Sequence, residues 1–213
     1  MCMSTHTAYP IPGLPSIGTC RDYFQAAAIL DAILCPEWEY RYYSFNARWD
    51  QDEQMASMRD GEGSHYFALF GDEQVMIKGY DKELATAKGA EDAADIVSTA
   101  PAACDAFLAE PAFIVEETTF LMWRLSEAEL WQAGKPYTEQ DYRLLEILTG
   151  GAAAYHAWAI GYYEIELDLA LVEKVFAMTP IDEYLLQRLN PELTLDDLLE
   201  DLEEIGYPYQ RDR

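Results

Sequence analysis

The spacing of apolar residues changes several times along the chain and divides it into predicted elements. Prolines interrupt any regular pattern in residues 1–18, which predicts an extended N-terminal arm followed by a single domain over residues 19–213. Apolar residues then recur at helical spacing, which predicts a helix over 20–35 with Thr19 as its cap. From residue 37 to residue 43 the period becomes two, which predicts a first strand.

Further strands are predicted where aromatic and aliphatic residues lie between turn residues. They are His65–Phe70, Val75–Tyr80 and 118–125, and residues 71–74 have the composition of a hairpin connection. The stretch 46–59 predicts a strand end followed by a short helix or loop. Strands that follow one another at this spacing predict an antiparallel meander.

Most of the remaining chain has a helical pattern. Alanine-rich segments predict short helices over 82–108, and residues 126–131 predict a short, exposed turn of helix. Gly150 and Gly151 are expected to interrupt the helical pattern that follows.

The C-terminal segment completes the predicted class. Residues 162–167 fit a helix and a strand equally well. A leucine stripe predicts a last helix that begins at Thr194 and ends at Gly206. The predicted fold is therefore α+β, with an antiparallel β-meander packed against a helical C-terminal half.

The net charge limits the class of partner. The chain has 39 acidic and 14 basic residues, for a formal net charge of −25. This charge repels phosphates and anionic lipids, so neither nucleic acid nor a membrane is an expected partner. It attracts cationic surfaces, which predicts a basic protein partner, although an acidic surface also serves solubility alone.

Targeting signals and cysteine spacing predict a cytoplasmic protein. The N-terminus has no basic region followed by an apolar stretch, and the longest uncharged run, 147–163, is too short and mixed to span a bilayer. The four cysteines, Cys2, Cys20, Cys35 and Cys104, include no CxxC pair and are predicted to be free thiols.

No recognisable motif for catalysis, metal binding or nucleotide binding is present. His6, His65 and His156 lack metal-ligand spacing, and no GxSxG or GK[ST] sequence occurs. No cofactor or metal is therefore expected. An enzyme remains possible only with a site assembled from residues scattered in sequence, which we place near Trp49 and list as Trp49, Asp50, Glu53, Arg59 and Tyr66.

Candidate partner-binding residues fall into two groups. Arginine and aromatic residues, which are enriched at binding hot spots, occur with carboxylates around the first strand. The last helix has a dense row of carboxylates opposite its leucines. The candidates are Arg48, Trp49, Asp50, Glu53, Arg59, Tyr66, Asp197, Glu200, Asp201 and Glu204. The alternative is that the arginines pair with local acids and that the carboxylate row is only solvated.

Four short stretches carry a resemblance to a known class of protein. YYSFNARWD, MASMRDGEG, LNPE and EIGYP are similar to sequences in uncharacterised small acidic bacterial proteins of the immunity-protein type. The resemblance implies a protein that neutralises a cognate bacterial toxin, but it assigns no role to any residue.

The leading hypothesis is therefore a non-enzymatic acidic module that binds a basic protein. An immunity protein that occludes the basic active site of a toxin is its specific form. The alternatives are the enzyme described above and a nucleic-acid mimic, in which carboxylates imitate the spacing of phosphates.

Overall fold

An antiparallel sheet forms the centre of the protein. The computed structural model describes residues 8–87, 89–136, 138 and 140–211. Within them the sheet has seven strands in the order β1-β7-β6-β5-β4-β3-β2. The strands are β1 (Tyr9–Ile11), β2 (Tyr43–Asp50), β3 (Glu53–Arg59), β4 (His65–Phe70), β5 (Val75–Tyr80), β6 (Phe120–Arg124) and β7 (Trp131–Ala133). From β2 to β7 each strand pairs with the next, so the predicted meander and the α+β class are confirmed.

Helices cover both faces of this sheet. They are α1 (Ile17–Leu34), α2 (Lys82–Thr86), α3 (Ala93–Val97), α4 (Asp105–Ala109), α5 (Glu146–Tyr162), α6 (Leu169–Phe176), α7 (Glu183–Leu189) and α8 (Leu199–Ile205). One face packs on α1 and on the C-terminal helices, and we call it the α1 face. The opposite face packs on α3, α4 and the loop that follows them.

The alternation of side chains along the strands separates two hydrophobic cores. In β4, Tyr66, Ala68 and Phe70 point to the α1 face, whereas Phe67 and Leu69 belong to the opposite core. Both faces are therefore buried, which explains why the strand sequences are nearly continuous apolar runs.

The first helix lies almost entirely in the interior. It begins at Ile17, earlier than predicted, because the Ser16 hydroxyl accepts a hydrogen bond from the Thr19 amide at 3.1 Å. Buried residues cover all sides of α1, including the run Ala26, Ala27 and Ala28. Small side chains there let the helix approach its neighbours closely on more than one side.

The first predicted strand is misplaced. Residues Trp38–Tyr40 form a 3-10 helix, and β2 begins only at Tyr43. The alternation there does not reflect a buried side, because Trp38 and Tyr40 are 63% and 62% exposed. The helix or loop predicted within 46–59 is also wrong, since β2 and β3 form a hairpin in which Asp52 takes a positive φ of 62°.

Further along the chain, some segments differ from the sequence prediction and others agree with it. Trp131, predicted in an exposed helical turn, lies in β7 with 2% exposure, and its indole donates a hydrogen bond to the Pro15 carbonyl at 2.8 Å. Of the ambiguous stretch 162–167, Tyr162 is the last residue of α5, and residues 163–167 form neither helix nor strand. Gly151 interrupts α5 with a φ of 54°, and Gly206 ends α8 with a φ of 69°, as predicted. The predicted start of the last helix is wrong, since α8 begins at Leu199 and not at Thr194.

The N-terminal segment and the cysteines complete the fold. Residues 1–7, with Cys2 and His6, lie outside the described part of the chain. The following residues form β1, an edge strand paired with β7, and Ile11 is buried. Cys20, Cys35 and Cys104 are free thiols. Among the described residues, no helix combines the length and the apolar character needed to cross a bilayer.

Candidate functional site

Exposed aromatic rings gather at one end of the sheet. Trp38, Tyr40, Tyr42 and Tyr162 line a cavity of about 240 Å³, and we call these four residues the aromatic patch. Trp38, Tyr40 and Tyr162 are 63%, 62% and 44% exposed. The patch combines the 3-10 helix, the residue before β2 and the C-terminus of α5. Large rings exposed together, and not singly, are typical of binding surfaces.

A half-buried tryptophan holds the patch from behind. The ring of Trp158 on α5 lies 4.6 Å from Tyr42 and stacks on Tyr162 at 5.0 Å with an interplanar angle of 22°. Tyr42 and Tyr162 are also in edge contact at 5.4 Å. Mutual packing of this kind restricts the rings, so less entropy is lost when a partner binds.

An arginine fixes the turn that carries Trp38 and Tyr40. Arg41 donates hydrogen bonds to the carbonyls of Cys35 at 2.9 Å and Pro36 at 2.8 Å. Its two terminal nitrogens also bind both carboxylate oxygens of Asp201 on α8. The acidic helix is therefore joined to the patch by this ion pair.

A second arginine beside the patch has no partner among the residues that the structure describes. Arg59 lines the same cavity and is exposed. Across the part of the chain that the structure describes, its side chain makes no hydrogen bond or ion pair, although the chain has 39 acidic residues. An unpaired guanidinium next to exposed tryptophan and tyrosine matches the residue types of binding hot spots.

Acidic residues surround this end of the sheet. Glu39 lines the cavity, and Glu37 and Glu62 are exposed next to residues that line it. Asp60 has a structural role, since it accepts hydrogen bonds from the amides of Glu62, Gly63 and Ser64 at 2.8–2.9 Å and closes the β3–β4 turn. The local field therefore favours a cationic partner.

Three of the predicted site residues lie at the other end of the hairpin. Arg48, Asp50 and Glu53 line an open, polar cleft of about 420 Å³ together with Arg21 and Asp72. Burial, and then the neighbouring Asp50, raise the pKa of Glu53. At about 3.3 Å per residue, the length of β2 places this cleft roughly 20 Å from the aromatic patch.

The remaining two residues near the first strand face opposite sides of the sheet. Trp49 stacks on Phe113 at 5.8 Å in the second core. Tyr66 is fully buried on the α1 face, where its ring contacts Phe24 at 5.5 Å. Trp49, Arg59 and Tyr66 therefore do not meet, so the scattered group considered for an enzyme does not form one pocket.

The four C-terminal candidates have different environments. Asp197 accepts hydrogen bonds from the Thr194 hydroxyl at 2.6 Å and amide at 2.9 Å, which lower its pKa and cap the turn before α8. Asp201 pairs with Arg41. Glu200 and Glu204 are exposed to solvent.

Comparison with protein-family models, with curated proteins and with solved structures found no match to this chain. The function of the chain is therefore inferred from the chemistry of its own residues. Within the described ranges, no three histidine, cysteine or acidic side chains are placed to hold a metal ion. His156 is a structural residue, because its Nε2 shares a hydrogen bond with the Leu167 carbonyl at 2.8 Å.

A buried carboxylate that the sequence pattern did not single out lies directly behind the patch. Asp31 on α1 is fully buried, and its Oδ2 accepts hydrogen bonds from the amides of Tyr42 at 2.9 Å and Tyr43 at 2.7 Å. Its Oδ1 accepts from the Tyr155 hydroxyl at 2.6 Å. Burial raises the pKa of Asp31 to about 7, although these hydrogen bonds oppose the shift. A lone aspartate within the apolar stretch 26–34 was the available signal.

A buried lysine on the opposite face was also missed. Lys78 is 1% exposed, and its Nζ donates to the carbonyls of Phe113 and Ile114. Burial lowers its pKa to about 8. Because these bonds hold the loop after α4 on the sheet, we assign Lys78 a structural role.

Proposed function

We propose that the protein is a non-enzymatic binding module that docks a basic protein on the aromatic patch. The observation that carries the proposal is the exposure of Trp38, Tyr40 and Tyr162 on one cavity. Beside them lies Arg59, whose side chain makes no hydrogen bond or ion pair with the described residues. A partner that covers these rings gains the free energy of removing them from water.

The surface next to the patch supports a protein partner over a small ligand. On α5, Ala153, Ala157 and Ile160 are exposed, and no charged residue occurs between Ile147 and Tyr163. An exposed helix side without charged residues is unusual in a chain with a net charge of −25. Together with Tyr162 it extends the apolar area beyond what the cavity alone offers.

The charge distribution supports a basic partner. The net charge of −25 and the acids around the patch attract a cationic surface over distances of about a Debye length, roughly 10 Å at ordinary salt. Such steering speeds association and makes it sensitive to salt, while the buried rings determine how slowly the complex dissociates.

The resemblance to immunity-type proteins supports a bacterial toxin as the partner, with its basic active site occluded by this surface. We place the interaction in the cytoplasm, where the free thiols of Cys20, Cys35 and Cys104 would stay reduced. In this scheme the exposed Glu200 and Glu204 contribute to attraction, whereas Asp201 orients Arg41.

Affinity capture with matched variants tests the proposal. The wild-type protein, Trp38→Ala and Tyr184→Ala are immobilised, exposed at low salt to extract of the source cells, and eluted with a salt gradient into a mass spectrometer. Tyr184 is the control, because it is 67% exposed but lies on α7.

We expect one basic protein in stoichiometric amount from wild type and from Tyr184→Ala. Trp38→Ala should lose at least about 30-fold in affinity, the usual effect of removing a hot-spot side chain. Equal capture by all three proteins, or no basic partner from wild type, would contradict the proposal.

A further inference from the structure

Asp31 lies in a pocket without a compensating cation. Its carboxylate is fully buried where α1, the start of β2 and α5 meet. No lysine, arginine or histidine of the described residues forms an ion pair with it. The other titratable groups whose fields it shares are Cys35, Tyr42, Tyr43, Tyr66, Tyr155, Tyr162 and Tyr163. All of them are neutral at pH 7, because their ordinary pKa values of 9 for cysteine and 10 for tyrosine already lie well above it and burial raises them further.

The donors around Asp31 belong to the elements that carry the aromatic patch. The amide of Tyr42, itself a member of the patch, binds Oδ2 directly. Tyr163, the residue after Tyr162, has a buried hydroxyl that faces the same carboxylate, and its interaction with Asp31 opposes the rise in the pKa of Asp31. Of the residues in the patch, Tyr42 therefore contacts Asp31 directly, and Tyr162 is bonded to a residue that faces it.

We propose that Asp31 is a proton switch that sets the arrangement of the aromatic patch. An ionised carboxylate only accepts hydrogen bonds, and it binds amide donors more strongly than a neutral acid does. When Asp31 is ionised it holds Tyr42 and Tyr43 tightly. When it takes a proton from solvent, this hold weakens.

The position of the proton follows from the existing hydrogen bonds. Oδ2 already accepts two amide protons, so the added proton goes to Oδ1. The Tyr155 O–H keeps donating to Oδ1, because a protonated carboxyl oxygen still accepts a hydrogen bond. Oδ1–H then donates to the Tyr163 hydroxyl, which faces the carboxylate, and this passes the change to the segment that carries Tyr162.

The role of the patch as a docking surface rests on the proposed function, but the switch is testable without any partner. We would follow the pH titration of the free protein by NMR, using the amides of Tyr42 and Tyr43 and the indole N–H of Trp158. Trp158 reports on the patch because its ring contacts both Tyr42 and Tyr162.

We expect all three signals to titrate with one midpoint near pH 7, and the two amides to move downfield as Asp31 ionises. The titration should vanish in Asp31→Asn. It should persist in Asp22→Asn, which changes a partly exposed carboxylate on the same helix.

Absence of a common midpoint, or its survival in Asp31→Asn, would overturn the proposal. If Asp31→Asn does not fold, Tyr155→Phe replaces it. Loss of this donor disfavours the ionised form, so the common midpoint should rise, and an unchanged midpoint would also overturn the switch. Failure of partner capture with a normal titration would instead contradict only the proposed function.

Discussion

Replacement of Asp31 by asparagine should change how stability depends on pH. Asparagine has nearly the same shape and can still accept the two amide hydrogen bonds, but it does not ionise. The aspartate has a pKa of 3.8 when exposed and about 7 in the folded protein. Between these values the folded state keeps a proton that the unfolded state has lost, so the free energy of unfolding falls as pH rises.

The size of the effect follows from the two pKa values. At about 1.4 kcal/mol per pH unit, the change from 3.8 to about 7 corresponds to about 4 kcal/mol. This stabilising contribution is fully present below the pKa of the unfolded state. It decreases as pH rises towards the pKa of the folded state, and above that pKa it is absent. The free energy of unfolding of Asp31→Asn, relative to that of wild type, should therefore increase by about 4 kcal/mol from acid to mildly alkaline pH.

Urea unfolding followed by circular dichroism at a series of pH values measures this difference. The other acidic residues contribute equally to both proteins, so the difference isolates Asp31. Asp72→Asn, which removes an exposed carboxylate, is the control and should follow wild type at every pH. Parallel curves for wild type and Asp31→Asn would refute the reasoning, because the buried carboxyl would then not hold its proton.

Two other substitutions test the packing that positions the site. Gly79→Ala would place a Cβ 2.1 Å from Cζ of the buried Phe120 ring. The free energy of unfolding should therefore fall by about 1–3 kcal/mol, with a lower urea midpoint. An unchanged midpoint would contradict the close approach. Arg143→Met removes donors at 2.6 and 2.8 Å from the buried Asp81 and should cost about 3 kcal/mol at neutral pH. That loss should disappear in acid, since Arg143 lowers the pKa of Asp81; a loss independent of pH would indicate a packing effect alone.

Strands in the middle of the sheet were predictable from the sequence, because their apolar runs match the buried positions that these strands occupy. His65–Phe70 and Val75–Tyr80 are dense in apolar residues and flanked by turn residues, and both lie between two other strands. The segment 37–43 has a strand-like alternation for a different reason. Its rings at 38 and 40 are exposed, so the pattern there reflects the patch and not a sheet.

The candidate site was only partly accessible from the sequence. Arg59 stood out by its type and by the acidic background, and it lies in the cavity of the aromatic patch. Tyr162 lies on a helix 124 residues after Trp38 in the sequence, and no local pattern links the two residues. Asp201 was selected as a member of the carboxylate row on the last helix, whereas in the structure it pairs with Arg41, which lies on a distant segment.

The sequence by itself determined the fold class, the order of most elements and the negative charge, because these depend on composition and on the period of apolar residues. Tertiary structure alone decided which side chains meet. Asp31 looks like one acid in a helix, and it becomes a titratable group behind the patch only when β2 and α5 remove it from water. Burial and hydrogen bonding arise between distant segments, so a one-dimensional pattern does not contain them.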